Sequence, residues 1–391
     1  MYLDYTAAQH ALRRELRAYM SRLMTPELRA EVEESEGGGP HYRAALKTMG
    51  ADGWLGIGWP KEYGGQGRSP IEQFIFSDEV QRAGYPLPFL TINSVGPTIM
   101  KYGSPEQKAE FLPRILRGEV LFAIGYSEPS AGTDLAALRT RAVLEGDHYV
   151  VNGSKVFTSL AEFSDFIWLA ARTNTEAKKH RGISMLMVST TSPGYRCTPI
   201  WTMSGVRTNA TYYEDVRVPV AMRVGPENEG WNLITNQLNH ERLGLATGGP
   251  SERLLEEVRR WAQATRLPDG RRVIDQEWVR VKLASVRARL EALKLLNWRQ
   301  AWCMTTDSVN FADASAVKVF GSEGFVAMYR DLLEVVGHRG MLRRDAPESL
   351  LRGRLERAHR SALVITFGGG TNEIQRDIIA MAGLGIPRDL R

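Results

Sequence analysis

Apolar residues in the first third of the chain recur at three- and four-residue spacings, one face of a helix, and predict helices over 7–22, 40–52, 70–83 and 104–116. Glycine and proline clusters separate them, among them Trp59-Pro60-Lys61-Glu62-Tyr63-Gly64-Gly65. Ser104-Pro105-Glu106-Gln107 combines proline in the first turn with a capping-box spacing, so a helix should open there. After Gly118 the period changes. Residues 140–157 read as three short strands joined at Gly146-Asp147 and at Asn152-Gly153, the second a two-residue hairpin signal, and further strands are expected over 165–172, 182–189, 195–201 and 211–218. These suggest a compact β-barrel or sandwich. Helical spacing returns beyond Glu229, with helices expected over 231–263, 275–305, 312–336 and 346–367 and a last one after Gly370. Val279, Leu283, Val286, Leu290 and Leu293 alternate four and three apart, the seam of a bundle. The fold class that follows is α+β and multidomain: an N-terminal helical domain (1–120), a middle β-barrel (121–225) and a C-terminal four-helix bundle (226–391).

Composition narrows the classes. A chain of 391 residues, 43% of them hydrophobic, can bury a large core. No stretch approaches the roughly 20 apolar residues of a membrane span, and residues 1–20 lack a signal-peptide core, so a cytoplasmic enzyme without a membrane partner is expected. Cys197 and Cys303 lie far apart without histidine-rich surroundings, which argues for core fillers and against a disulfide or a metal site. The net charge of +5 is spread among interleaved acidic residues. That disfavours nucleic acid and suits an anionic small molecule.

Three motifs carry candidate chemistry. An apolar run, 362–367, meets Gly368, Gly369 and Gly370 and then Thr371-Asn372-Glu373-Ile374-Gln375-Arg376 where a helix should begin. Glycines admit close backbone approach, and free N–H groups at a helix start suit a pyrophosphate or the polar edge of a ring. Upstream, the loop from Gly125 through Tyr126, Ser127, Glu128 and Pro129 to Gly132, Thr133 and Asp134 offers main-chain donors and hydroxyls, and Asn152-Gly153-Ser154-Lys155 follows it. In this order and spacing the motifs resemble those of acyl-CoA dehydrogenases, and together they cover the whole chain. The resemblance implies that family's fold, FAD as cofactor, an acyl-CoA substrate and an electron-transfer flavoprotein as partner. It places Tyr126, Ser127, Gly132 and Thr133 at the cofactor, with Thr133 also at the acyl-CoA. Phe157 stands in the family's tryptophan position, on a strand beside the flavin ring, followed by Thr158 and Ser159. Gly337, Thr371, Asn372 and Glu373 would complete the cofactor contacts, and Gly370 would meet the substrate.

The implied reaction removes a proton α to the thioester as a hydride leaves the β-carbon, and it needs one placed carboxylate. Gly369 stands where the family's active-site loop usually carries its glutamate. The family's other address is a Leu-x-x-Glu-Arg sequence on the helix after the β-domain, and Leu238-Asn239-His240-Glu241-Arg242 occupies it. Glu241 is therefore the expected base and Arg242 a thioester or phosphate contact, while His240 points about 100° away. Gly244, Ala246, Gly248 and Gly249 either leave room for a bulky acyl group or serve close helix packing. The family's Arg-x-x-Phe-Gly stretch, which reaches a neighbouring subunit's FAD, is missing from 264–272, where Pro268-Asp269-Gly270 makes a turn and Arg266, Arg271 and Arg272 are the cations at hand. Residues 334–340 match the second neighbour-serving loop only in part. Motifs for holding the chain's own flavin persist while those that assist a neighbour are degraded. This is similar to the base-contributing subunit of steroid side-chain acyl-CoA dehydrogenases, which form α2β2 heterotetramers. A noncatalytic subunit of such a tetramer, a homotetramer, and a flavin oxidase or monooxygenase on the same fold are the alternatives.

Overall fold

The computed structural model describes residues 4–35, 37–242, 247–306, 308 and 310–387, and the side chains of 238–242 lie outside that description. The first region holds α1 (Ala7–Leu23), α2 (Pro26–Ser35), α3 (Pro40–Ala51), α4 (Pro70–Ala83), α5 (Gly96–Tyr102) and α6 (Pro105–Leu116). Thr6, Ser69 and Ser104 each close a capping box at the start of α1, α4 and α6. Each box satisfies two main-chain donors that a helix start leaves free. A π-turn over Thr91–Val95 leads directly into α5.

The middle region is one eight-stranded sheet. Its strands are β1 (Phe122–Gly125), β2 (Arg141–Glu145), β3 (His148–Lys155), β4 (Phe166–Arg172), β5 (Ile183–Ser189), β6 (Tyr195–Trp201), β7 (Arg207–Pro219) and β8 (Arg223–Val224). They run in the order β6-β7-β3-β2-β4-β5-β8, with β1 parallel to β4. Both faces of β4 and β5 are buried. Ile167, Leu169, Leu186 and Val188 fill the core of the sheet, while Trp168, Ala170, Met185 and Met187 join the core of the N-terminal helices. Two-sided burial explains why these strands read as almost unbroken apolar runs.

One hairpin expectation is corrected. The chain turns at Gly146-Asp147, between β2 and β3, but Asn152-Gly153 lies inside β3. Across from it β7 carries an extra residue, and Asn152 exchanges hydrogen bonds with Asp215 at 2.9 and 3.0 Å. The Asn-Gly pair thus serves a bulge instead of a turn. Gly153 has φ +147°, and a Cβ there would lie 2.8 Å from Thr140 Cα.

The last region holds α7 (Gly230–Arg242), α8 (Gly249–Ala264), α9 (Glu277–Thr305), α10 (Phe311–Val336), α11 (Arg354–Ala362) and α12 (Asn372–Ile378). The seam residues Val279, Leu283, Val286, Leu290 and Leu293 are all buried on α9 and share a core with Leu332 and Val335 of α10. The single helix expected over 231–263 is two helices. α8 begins anew at Gly249-Pro250, where proline's missing N–H is harmless, and Asp78 of α4 accepts the Gly249 N–H at 2.7 Å. The helix expected over 346–367 shrinks to α11, because Leu351, Arg352 and Gly353 are left-handed and interrupt it. Cys303 is buried in the bundle and Cys197 is half-buried on β6, both as free thiols. Among the described residues, no helix is long and apolar enough to cross a membrane, and no cluster of His, Cys, Asp and Glu is arranged to hold a metal.

Candidate active site

The loop after β1 is shaped by a buried ion pair. Lys155, at the end of β3, donates to Glu128 Oε1 at 2.8 Å and to the Tyr126 carbonyl at 3.0 Å. The Glu128 carboxylate also accepts the N–H groups of Arg139 and Thr140 at 2.7 and 2.8 Å. Burial raises the Glu128 carboxyl, but the Lys155 charge and these donors outweigh it and hold the group below the usual carboxylate range. Burial pulls the Lys155 ammonium down to about 8 against the opposing pull of Glu128. With its two ends fixed, the loop leaves Gly132 and Thr133 exposed at its tip, and a Cβ on Gly132 would meet nothing within 4 Å.

The same loop is tied to α7. Tyr126 donates its hydroxyl to Gln237 Oε1 at 2.6 Å, and both side chains are buried. Glu241 lies four residues further along α7, one turn on and therefore on the same helix face as Gln237. The side chains of Glu241, Arg242 and His240 are outside the described residues, as are Gly244 and Ala246. Of the other small residues, Gly249 serves packing. A Cβ there would lie 2.3 Å from the Asp78 carbonyl oxygen.

Beyond β3 the chain is held against the loop by a hydrogen bond from Val156 N–H to the Ser127 carbonyl, at 2.9 Å. Phe157 departs from the sequence expectation. It lies past the end of β3, in the left-handed region at φ +61°, and is 64% exposed. A bulky residue held left-handed is an outlier of the kind that clusters at functional sites. Thr158 is fully buried, and its hydroxyl has no hydrogen-bond partner among the described residues. Ser159 is exposed, and its hydroxyl bonds Thr208 Oγ1 at 3.1 Å. The structure therefore brings Tyr126, Ser127, Phe157, Thr158 and α7 together. An unsatisfied buried hydroxyl, an outward-facing aromatic and an uncrowded glycine loop are features that fit the edge and face of a flavin.

The C-terminal residues form a second group, organised by α10. Lys318, buried on α10, donates to the carbonyls of Gly370 (2.8 Å) and Thr366 (3.2 Å) and to Asn372 Oδ1 (2.7 Å). The side chain of Asn372, expected among the cofactor contacts, is engaged inside the protein, which leaves its main chain at the helix start for such a contact. Its amide is buried and donates to Ser322 and Glu323 while its oxygen accepts from Lys318. Thr371 caps α12 by accepting the Ile374 N–H, and Glu373 is exposed in the first turn. Gly337 follows the far end of α10 at φ +73°. Lys318 and that end are about 27 Å apart along the helix axis at roughly 1.5 Å per residue. Gly337 and Gly370 thus cannot hold the same part of one cofactor.

The cations considered as substitutes for the missing neighbour-serving motif are engaged locally. Arg266 donates to the Gly270 carbonyl, Arg271 pairs with Asp269 and Arg272 with Asp275, around a turn closed by Gly270 N–H to Leu267 at 2.9 Å. Three site residues escaped the sequence reading: Glu128 as the partner of Lys155, Gln237, and Lys318. Lys318 left a trace, a lone charge within the apolar run 314–320. Gln237 left none.

Models of the acyl-CoA dehydrogenase N-terminal, middle and C-terminal domains match residues 6–119, 123–216 and 228–384. Acyl-CoA dehydrogenase FadE26 of Mycobacterium tuberculosis is 58% identical over 99% of each chain. FadE29 of the same organism is 50% identical, again over 99% of each. Among solved structures, the ChsE4-ChsE5 complex of Mycobacterium tuberculosis superposes with a TM-score of 0.93 at 58% identity and 100% coverage of both chains. The Tcur3481-Tcur3483 steroid ACAD gives 0.94 at 51%, also with 100% coverage of both.

Proposed function

This chain belongs to the acyl-CoA dehydrogenase family of flavin-dependent oxidoreductases, and we propose that it catalyses α,β-dehydrogenation of an acyl-CoA thioester to the trans-2-enoyl-CoA, with Glu241 as base. We further propose a bulky, steroid-type acyl group, a tetramer completed by an unlike family member, and an electron-transfer flavoprotein as the electron acceptor.

The observation that carries this reading is the Tyr126–Gln237 bond, which ties the glycine loop to the helix face that also holds Glu241. In this reading Tyr126, Ser127, Gly132, Thr133, Phe157, Thr158 and Ser159 would hold FAD, which when bound supplies the hydride acceptor. Glu241 takes the α-proton. Thr133 and Gly370 meet the thioester, and Arg242 its phosphates or carbonyl. Phe157 covers the ring and limits water at the reacting carbons. Gly370 and Gly337, about 27 Å apart along α10, support a site completed across a subunit boundary, with Gly337 facing a neighbour's cofactor. The names of both solved relatives pair two chains in one complex, which supports an unlike partner.

Anaerobic titration of the flavin-loaded complex with straight-chain, branched and steroid-type acyl-CoA thioesters tests the reading. The flavin band should bleach, most completely with a steroid-type thioester. A loaded complex that none of them bleaches would sink it, and rapid reoxidation by air would favour the oxidase.

A further inference from the structure

Three consecutive glycines are the least constrained tripeptide a chain can place beside a reacting centre, since each lacks the Cβ that limits φ and ψ. Gly369 and Gly370 use that freedom, at φ +68° and +93°. A single buried side chain brackets the run. Lys318, 3% exposed on α10, bonds the Thr366 carbonyl before it, the Gly370 carbonyl at its end and the Asn372 side chain just after it. Beneath the same loop the fully buried Gln375 fills the space, with Nε2 2.7 Å from where a Gly370 Cβ would stand. The loop is tied from below and has no room to sink into the bundle.

This hub sets which edge of the loop faces outward. A trans peptide is planar, with its C=O and N–H on opposite sides. The Gly370 carbonyl points inward to the Lys318 ammonium at 2.8 Å, so the Thr371 N–H of the same peptide points away from it, while Gly370 itself is exposed. Among the described residues that N–H has no acceptor. A carbonyl that needed only a partner could be met by a neutral group, as the Asn372 amide is met by Ser322. Burying an ammonium costs more desolvation than that. What it adds is charge, which polarises the peptide and makes its N–H a stronger donor than an ordinary amide.

We propose that Lys318 is a positioning residue for the dehydrogenation: through the Gly370–Thr371 peptide it turns a strengthened N–H toward the thioester, where negative charge grows on the carbonyl oxygen as the α-proton leaves. The inference rests on the dehydrogenase reading above and deepens it. A donor aimed before the reaction starts stabilises the transition state more than the bound thioester, because the oxygen carries more charge there. Lys318 therefore acts on the rate of flavin reduction more than on thioester affinity.

The test is anaerobic stopped-flow reduction of the complete flavin-loaded complex by an acyl-CoA thioester, read as a limiting rate and a thioester dissociation constant. Lys318→Met should lower the limiting rate about tenfold to a hundredfold, the value of one charge-assisted hydrogen bond, while the dissociation constant moves by less than about threefold. Lys318→Gln keeps a donor without the charge. It should lose part of that rate, and it serves if Lys318→Met does not fold. Ser322→Ala removes a partner of Asn372 but leaves the Gly370 carbonyl held, and should keep the ordinary rate. A lysine with a purely structural role would lower the urea midpoint or the bound flavin and nothing else. An unchanged limiting rate in either flavin-loaded Lys318 variant, whatever happens to stability, therefore overturns the assignment, and the dehydrogenase reading then stands without it. If no thioester reduces the unmodified complex, both fall.

Discussion

Lys155 and Glu128 bury opposite charges at the base of the glycine loop, and removing one of them strands the other. Lys155→Met should therefore cost about 3–5 kcal/mol, read as a lowered urea midpoint, and should lower bound flavin because the Tyr126 carbonyl loses its donor. Adding Glu128→Gln should recover part of the stability. Asp78 poses a different problem. Burial first, then the charges of Glu252 and Glu79, raise its carboxyl to about 7 from 3.8, while the Gly249 N–H and Arg13 oppose the rise. A folded value above the unfolded one means that stability is fully present below about pH 4 and is lost as pH rises through 7. Asp78→Asn keeps an acceptor for Gly249 but cannot ionise. It should be the more stable protein at pH 8, by a few kcal/mol at about 1.4 kcal/mol per pKa unit, and the gap should close toward pH 4. At this scale the sequence was partly legible. The motifs announced Lys155 and the loop glycines, but the Glu128 pairing, the Gln237 contact and the inward turn of Asn372 depend on partners 27, 111 and 54 residues away.

Among elements, the seam of α9 and the two-sided strands β4 and β5 were readable because burial imposes a period or an apolar run on the sequence itself. Breaks were harder to see. A helical pattern continues across 231–263 although the chain leaves one helix and enters another, since both bury an apolar stripe. Asn152-Gly153 misled for a related reason, because the residues that favour a tight turn also suit a bulge. The α7–α8 junction makes a testable claim. Gly249 lets α8 start against the backbone of α4, so Gly249→Ala must push the two apart and should destabilise the protein by about 1–3 kcal/mol, seen as a lower thermal midpoint. Gly248→Ala, whose Cβ would only touch Leu290 at 3.7 Å, should be near neutral and serves as the control.

For the whole molecule, the order helical, β, helical was plain in the changes of period, and three family domains match along the chain in that order. What one chain's sequence carried less clearly is how the site is shared. The Gly370 loop, bonded to Lys318, and Gly337 lie about 27 Å apart along α10, and in the proposed tetramer a neighbour would complete the use of each. The claim that Glu241 is the base, with Gly369 marking the vacated address, is the centre of the account. Its direct test is anaerobic flavin bleaching by a reactive steroid-type acyl-CoA in the complete complex, with and without Glu241→Gln. The substituted complex should bind flavin and thioester normally yet bleach at least a thousandfold more slowly, roughly 4 kcal/mol of lost transition-state stabilisation. Bleaching at an undiminished rate would contradict it and assign the proton to a base on the partner subunit.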